Sequence, residues 1–201
     1  MNLLYPEIPL RRLPAMLGIA SLGALIAGHY GIAHDQVTYS LSEEYFTRLK
    51  FTQFQWANVG LPPRLFVAEI GFLAASGVGL VAGWVFARLR LEHSEPQMFT
   101  DSLKAFVGII ACAIAAASLA YFIGFYIHPQ PENSGIADLA ASLGVRDVPG
   151  FVRVAYIHNA GYLGAFVGIT SAAFLRWRRT RPCGARAPLK TAAIARKLRL
   201  P

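Results

Sequence analysis

The sequence predicts an all-α integral membrane protein: an antiparallel four-helix transmembrane bundle with short interfacial helices on its outer face. Three observations predict it. Of 201 residues, 55% are hydrophobic and only 15% charged, with a mean hydropathy of +0.43; a soluble domain carries about 25% charged residues. Four apolar stretches, at about residues 13–33, 63–87, 102–128 and 151–175, each approach or exceed the roughly 20 residues that cross a bilayer. Within each of them small residues recur about every four positions, as at Gly71, Ala75, Gly79 and Gly83, which lets helix backbones approach closely in lipid.

The elements follow in order. Pro14 suits a first helical turn, where its missing N–H costs nothing, and opens the first span. Residues 35–62 read as a loop. Within it Ser40-Leu-Ser-Glu43 fits a capping box, and Leu41, Tyr45, Phe46, Leu49 and Phe54 alternate with charged residues. That pattern predicts a short amphipathic surface helix, with Trp56 as an interfacial anchor. Pro62-Pro63 opens the second span, which Arg88 and Arg90 close. Thr100 or Asp101 is the expected cap of the third span, and Pro129 and Pro131 stop it. Ser134–Gly144 predicts a small surface helix with a Ser start and a Gly stop. The fourth span ends at Arg176-Trp-Arg-Arg-Thr-Arg181. Residues 1–175 thus form one membrane domain and 176–201 a basic tail.

Four spans put both termini on one side of the membrane. On that side lie 14 of the 19 Lys and Arg residues, so the positive-inside rule makes both termini cytoplasmic. The net charge of +8 then serves topology and contact with anionic headgroups rather than nucleic acid. Cys112 and Cys183 have neither metal-type spacing nor the number for a disulfide framework. The N-terminus lacks a small-residue cleavage site, so no removed signal peptide is expected.

This topology sorts the polar residues. His29 and His34 end the first span on the outer side, and His128 ends the third there. Glu69 and His158 lie about two turns into the second and fourth spans from the same side. Every span therefore contributes an imidazole or a carboxylate to one membrane half. At 100° per residue, His158 and Ala165 lie about 20° apart, as do Glu69 and Ser76, so both polar groups are expected along packing faces. Buried ionisable groups in a membrane mark functional sites by default.

Imidazole suits Zn, Cu and Fe. His34, Glu69, His128 and His158 are the expected ligands, with Asp35 as ligand or as orienter of an imidazole and His29 in reserve for a cofactor. Tyr162, one turn after His158, is placed to donate a hydrogen bond. The other outer-half tyrosines read as an aromatic belt. Two alternatives stay open: a b-type haem held by two histidines, and a cofactor-free structural or proton-handling cluster. No HExxH or CxxCH occurs.

At His34-Asp-Gln-Val-Thr38 and Glu44-Tyr-Phe-Thr47 the chain resembles a group of uncharacterised bacterial four-span inner-membrane proteins with an HDQ-x-T … EYFT signature. His158-Asn159 is a further point of likeness. The resemblance implies a bacterial inner-membrane protein and carries no activity. It adds Gln36, Glu44, Tyr45 and Asn159 to the candidate residues. Alternatively, this loop folds back as a cap, with Asp35 and Gln36 satisfying helix-end amides and carbonyls.

The expected function is a small inner-membrane protein whose periplasm-facing His/carboxylate site binds a transition metal (Cu, Fe or Zn), with redox or hydrolytic chemistry. The alternative is a non-catalytic subunit or scaffold of a larger membrane complex, or a homo-oligomer packed through the small-residue ladders. A conducting pathway is disfavoured because the cytoplasmic halves of the spans are almost wholly apolar.

Overall fold

The computed structural model describes residues 8–126 and 135–180. Its long elements are α1 (Leu13–Leu41), α2 (Pro63–Arg88), α3 (Glu95–Tyr126), the short α4 (Gly135–Ser142) and α5 (Val148–Thr180). No strand occurs among the described residues. Three helical segments are long and apolar enough to cross a membrane: Leu10–Leu41, Pro63–Arg88 and Glu95–Gly124. The fourth long helix, α5, has 33 residues, but Arg153, His158 and Asn159 dilute its apolar character.

The helices associate as two tight pairs, α1 with α2 and α3 with α5. Glycines bring the first pair together. A Cβ at Gly31 would fall on the Gly71 carbonyl, one at Gly23 on the Gly79 carbonyl, and one at Gly83 on the Ile19 carbonyl. Partner numbers fall along α2 as they rise along α1. The second pair follows the same rule, with Gly164 against Cys112 and Gly168 against Ile109. Between the pairs the fit is looser. Buried side chains gather at the two ends of the molecule, one cluster around Tyr39, Phe46, Val67 and Phe151, the other around Met16, Phe86, Met98 and Phe106. A cavity of about 90 Å³ lies between the pairs.

Three boundaries differ from those the sequence suggests. First, α1 runs on through Leu41. Ser40 is no cap: its hydroxyl donates to the Gln36 carbonyl, 3.1 Å away within the helix. Asp35, Thr38 and Tyr39 are all buried, so tertiary packing holds this polar stretch helical. Second, the amphipathic segment is a π-helical turn, Tyr45–Lys50, and Tyr45 and Phe46 are buried beneath it. Third, α3 begins at Glu95. The Thr100 hydroxyl donates to the Pro96 carbonyl inside it. Glu95 in the first turn suits the helix dipole, and Met98 is fully buried in the second cluster. The small helix α4 ends as expected, with Gly144 at φ +66° and its N–H donating to the Ala141 carbonyl. Its expected Ser134 start lies outside the described residues, as do the tail from 181 onward, Pro129 and Pro131.

Candidate metal centre

Two helices and one loop build the site. His34 and Asp35 are neighbours on α1, and Thr38 lies one turn after His34. His158 projects from α5 and is only 3% exposed. The imidazoles of His34 and His158 meet edge to face, with centroids 4.7 Å apart at 83°. His158 Nε2 stands 3.9 Å from Asp35 Oδ1 and 3.1 Å from the Thr38 hydroxyl. One ligand atom each from His34, Asp35 and His158 can be chosen so that all lie within 4.8 Å of one another. By donor type and spacing this trio can hold a metal ion.

The surroundings fix these side chains. The Thr38 hydroxyl lies 3.0 Å from the His34 carbonyl. With a proton on Nε2, His158 donates to Thr38 Oγ1, which in turn donates to that carbonyl. Tyr30, one turn before His34, places its hydroxyl 3.5 Å from His34 Nδ1. Gly161 faces the His34 Cε1 and the Tyr30 hydroxyl, and a Cβ there would meet them in ordinary contact at 3.8 and 4.0 Å. The loop closes the site from above. The Tyr45 ring stacks on His158 at 5.0 Å and 28°, and Phe46 lies 6.0 Å away. Burial pushes the Tyr45 phenol well above the ordinary tyrosine range, so it stays protonated.

Other candidates fall at varying distances from this trio. Gln36 does not face it. Its amide donates to the Arg64 carbonyl at 2.8 Å and accepts from the Arg64 guanidinium at 3.2 Å, tying α1 to the start of α2. Glu44 accepts from the backbone N–H groups of Arg146 and Asp147, at 3.0 and 2.7 Å, and so pins the loop to the start of α5. His29 is exposed, and its Nδ1–H donates to the Leu25 carbonyl at 2.7 Å. Glu69 on α2 is half-buried, and its Oε2 has no hydrogen-bond partner among the described residues. It lies outside the trio. Asn159 is exposed. Tyr162 has its ring 6.4 Å from His158 and lines the cavity. His128 lies outside the described residues. Sequence reasoning missed Thr38 and Phe46 as site residues. Thr38 carried a signal, since it sits four residues after His34 on the same helix face. Phe46 carried none beyond its place in an aromatic pair.

The Glu44 contact makes a pH prediction. Its hydrogen bonds from Asp147 and Arg146 lower the carboxyl pKa below its ordinary 4.5. A lowered folded-state value means the contribution to stability is present above that ordinary value and is lost as pH falls through the folded one. Glu44→Gln is therefore expected to lower the thermal midpoint at neutral pH. The difference from wild type should vanish in strongly acidic buffer. A difference independent of pH would show that the carboxylate is not the anchor.

Compared with protein-family models, with curated proteins and with solved structures, the chain finds no match.

Proposed function

We propose that the protein is an antiparallel four-span protein of a bacterial inner membrane, with both termini cytoplasmic and a transition-metal site on His34, Asp35 and His158 near the periplasmic face. One observation carries the metal reading: two imidazoles and a carboxylate from two helices converge, largely shielded from water, in a molecule with few ionisable groups in its long helices. Two His and one carboxylate form the donor set of non-haem iron(II) sites and of catalytic zinc sites, so iron and zinc are favoured over copper. Bonds of about 2.1 Å place the donors of a tetrahedral site about 3.4 Å apart; the trio, within 4.8 Å, would draw together on binding. Held by His34, Asp35 and His158, an ion would supply Lewis-acid or redox chemistry. The chain's own residues do the rest. Tyr30 orients the His34 ring, Thr38 turns its proton to the α1 backbone, and Tyr45 and Phe46 exclude water. As placed, the touching histidine rings leave no room for a porphyrin between them, which disfavours haem.

Supporting the four-span topology are the distribution of basic residues and the length of α5. Reporter fusions test it: those in the 54–62 loop and at Gly144 should report the periplasm, and one at Ser94 the cytoplasm. The reverse pattern would overturn the orientation.

A second reading rests on the 3.1 Å approach of His158 Nε2 to Thr38. Without an ion, His158, Thr38 and the His34 carbonyl form a latch joining α1 to α5. Chelation separates the readings. A metal site predicts that chelator lowers the thermal midpoint in detergent and that iron(II) or zinc restores it. Ligand at 100 times Kd stabilises by about 2.7 kcal/mol. A midpoint indifferent to both treatments supports the latch.

A further inference from the structure

We propose that this site receives a membrane lipid with an uncharged, hydrogen-bonding oxygen head group, entering sideways from the bilayer between α1 and α3. This adds a ligand class to the site proposed above. It rests on that reading only for what would be done to the lipid, not for its binding.

The pairing of helices leaves α1 and α3 apart near His34. The gap is a groove of about 490 Å³, within the roughly 300–1,000 Å³ typical of small-molecule sites. Its rims are apolar, with Val37 and Leu41 on α1 and Ile114 and Phe122 on α3. Val37 is 63% and Phe122 54% exposed. Both lie towards the outer ends of helices long and apolar enough to cross a membrane, so the mouth opens at the outer edge of the hydrocarbon. Among the residues that line it are Tyr30, His34 and Thr38, the polar groups nearest the site. Tyr30 and His34 also line the cavity between the helix pairs. That cavity continues along the helices past Ile26, Gly79, Ala82 and Phe106, without a polar side chain at that end. One pair of residues thus joins a lateral entrance to an apolar space of about 90 Å³, room for a short segment of a hydrocarbon chain.

The head group follows from charge. No Lys or Arg lines either space, whereas Asp35 lines the inner one. A carboxylate or phosphate head would stand beside Asp35, and the nearby cation, Lys50 over the Tyr45 ring at 5.7 Å, already faces that carboxylate, so a second anion would be costly away from water. A hydroxyl or carbonyl finds a donor and an acceptor in Tyr30 and His34, which line both spaces. A long-chain alcohol, aldehyde or quinone-type lipid has this chemistry.

The test uses full-length protein in lipid nanodiscs and a diazirine-bearing long-chain alcohol, competed with unlabelled alcohol, with the matching carboxylic acid, and with a short water-soluble alcohol. The expected result is labelling of peptides around Val37 and Phe122 that long-chain alcohol displaces at least tenfold better than either competitor. Val37→Trp, a lipid-facing substitution at the mouth, should reduce the displaceable labelling at least tenfold. Phe122→Trp serves if that variant does not fold. Labelling that alcohol does not displace, that spreads equally over exposed α2 positions such as Val81, or that the carboxylic acid displaces equally well would overturn the proposal. Each measurement is repeated after chelation. Displaceable labelling in a protein that takes up no metal would uphold the lipid site and overturn only the metal reading.

Discussion

His158→Ala is expected to weaken iron(II) or zinc binding by at least about 100-fold while the protein still inserts and folds. Changes to groups that merely orient metal ligands cost 10–100-fold, and this substitution removes one of three donors outright. His158 is also the member whose nitrogen meets both Asp35 and Thr38, at 3.9 and 3.1 Å. Its loss therefore leaves His34 and Asp35, adjacent on α1, without an opposing donor from α5. Asp35→Asn should produce a comparable loss by replacing the anionic ligand with a neutral amide. Asn159→Ala, next in the chain but exposed, should leave affinity unchanged. Affinities measured by competition with a chromophoric chelator decide the matter. Wild-type affinity in both His158→Ala and Asp35→Asn would exclude the trio.

The second large effect concerns the fold. Gly71→Leu should destabilise the protein by about 3 kcal/mol, the upper end for overpacking, and lower the thermal midpoint by roughly 10 °C. A Cβ at Gly71 would fall on the Gly31 carbonyl. That atom is backbone and cannot swing aside, so the helices must part. Gly77→Leu is the control: it is on the same helix, exposed, and has nothing within 4 Å of its would-be Cβ. It should be nearly neutral. Because Leu is the better helix former, equal destabilisation at both positions would mean that the α1–α2 contact does not govern the cost.

The long apolar helices were legible because length and hydropathy act locally. The glycine contacts were legible for the same reason, since only small residues tolerate a backbone carbonyl at such range. The stretch from Asp35 to Leu41 was not. Its polar residues read as a loop, yet they are helical because α5 and the Tyr45–Phe46 turn supply the burial and the hydrogen bonds. Those partners lie far away in sequence. The convergence of His34 and His158 could be read from helix facing. The placement of Glu69 could not. Small residues occupy more than one face of α2, so alignment with Ser76 did not separate the Gly71–Gly79 contact face from its neighbour. Nor did any local signal announce that Glu44 would reach Arg146 and Asp147, or that Phe46 would cover the imidazole.

The most direct test of the central claim is elemental analysis of tag-free protein purified in mild detergent. Near-stoichiometric iron or zinc, or copper in their place, is expected, and that metal should be absent from the His34→Ala/His158→Ala protein purified alongside. Wild-type protein that arrives metal-free and takes up no ion on loading would contradict it.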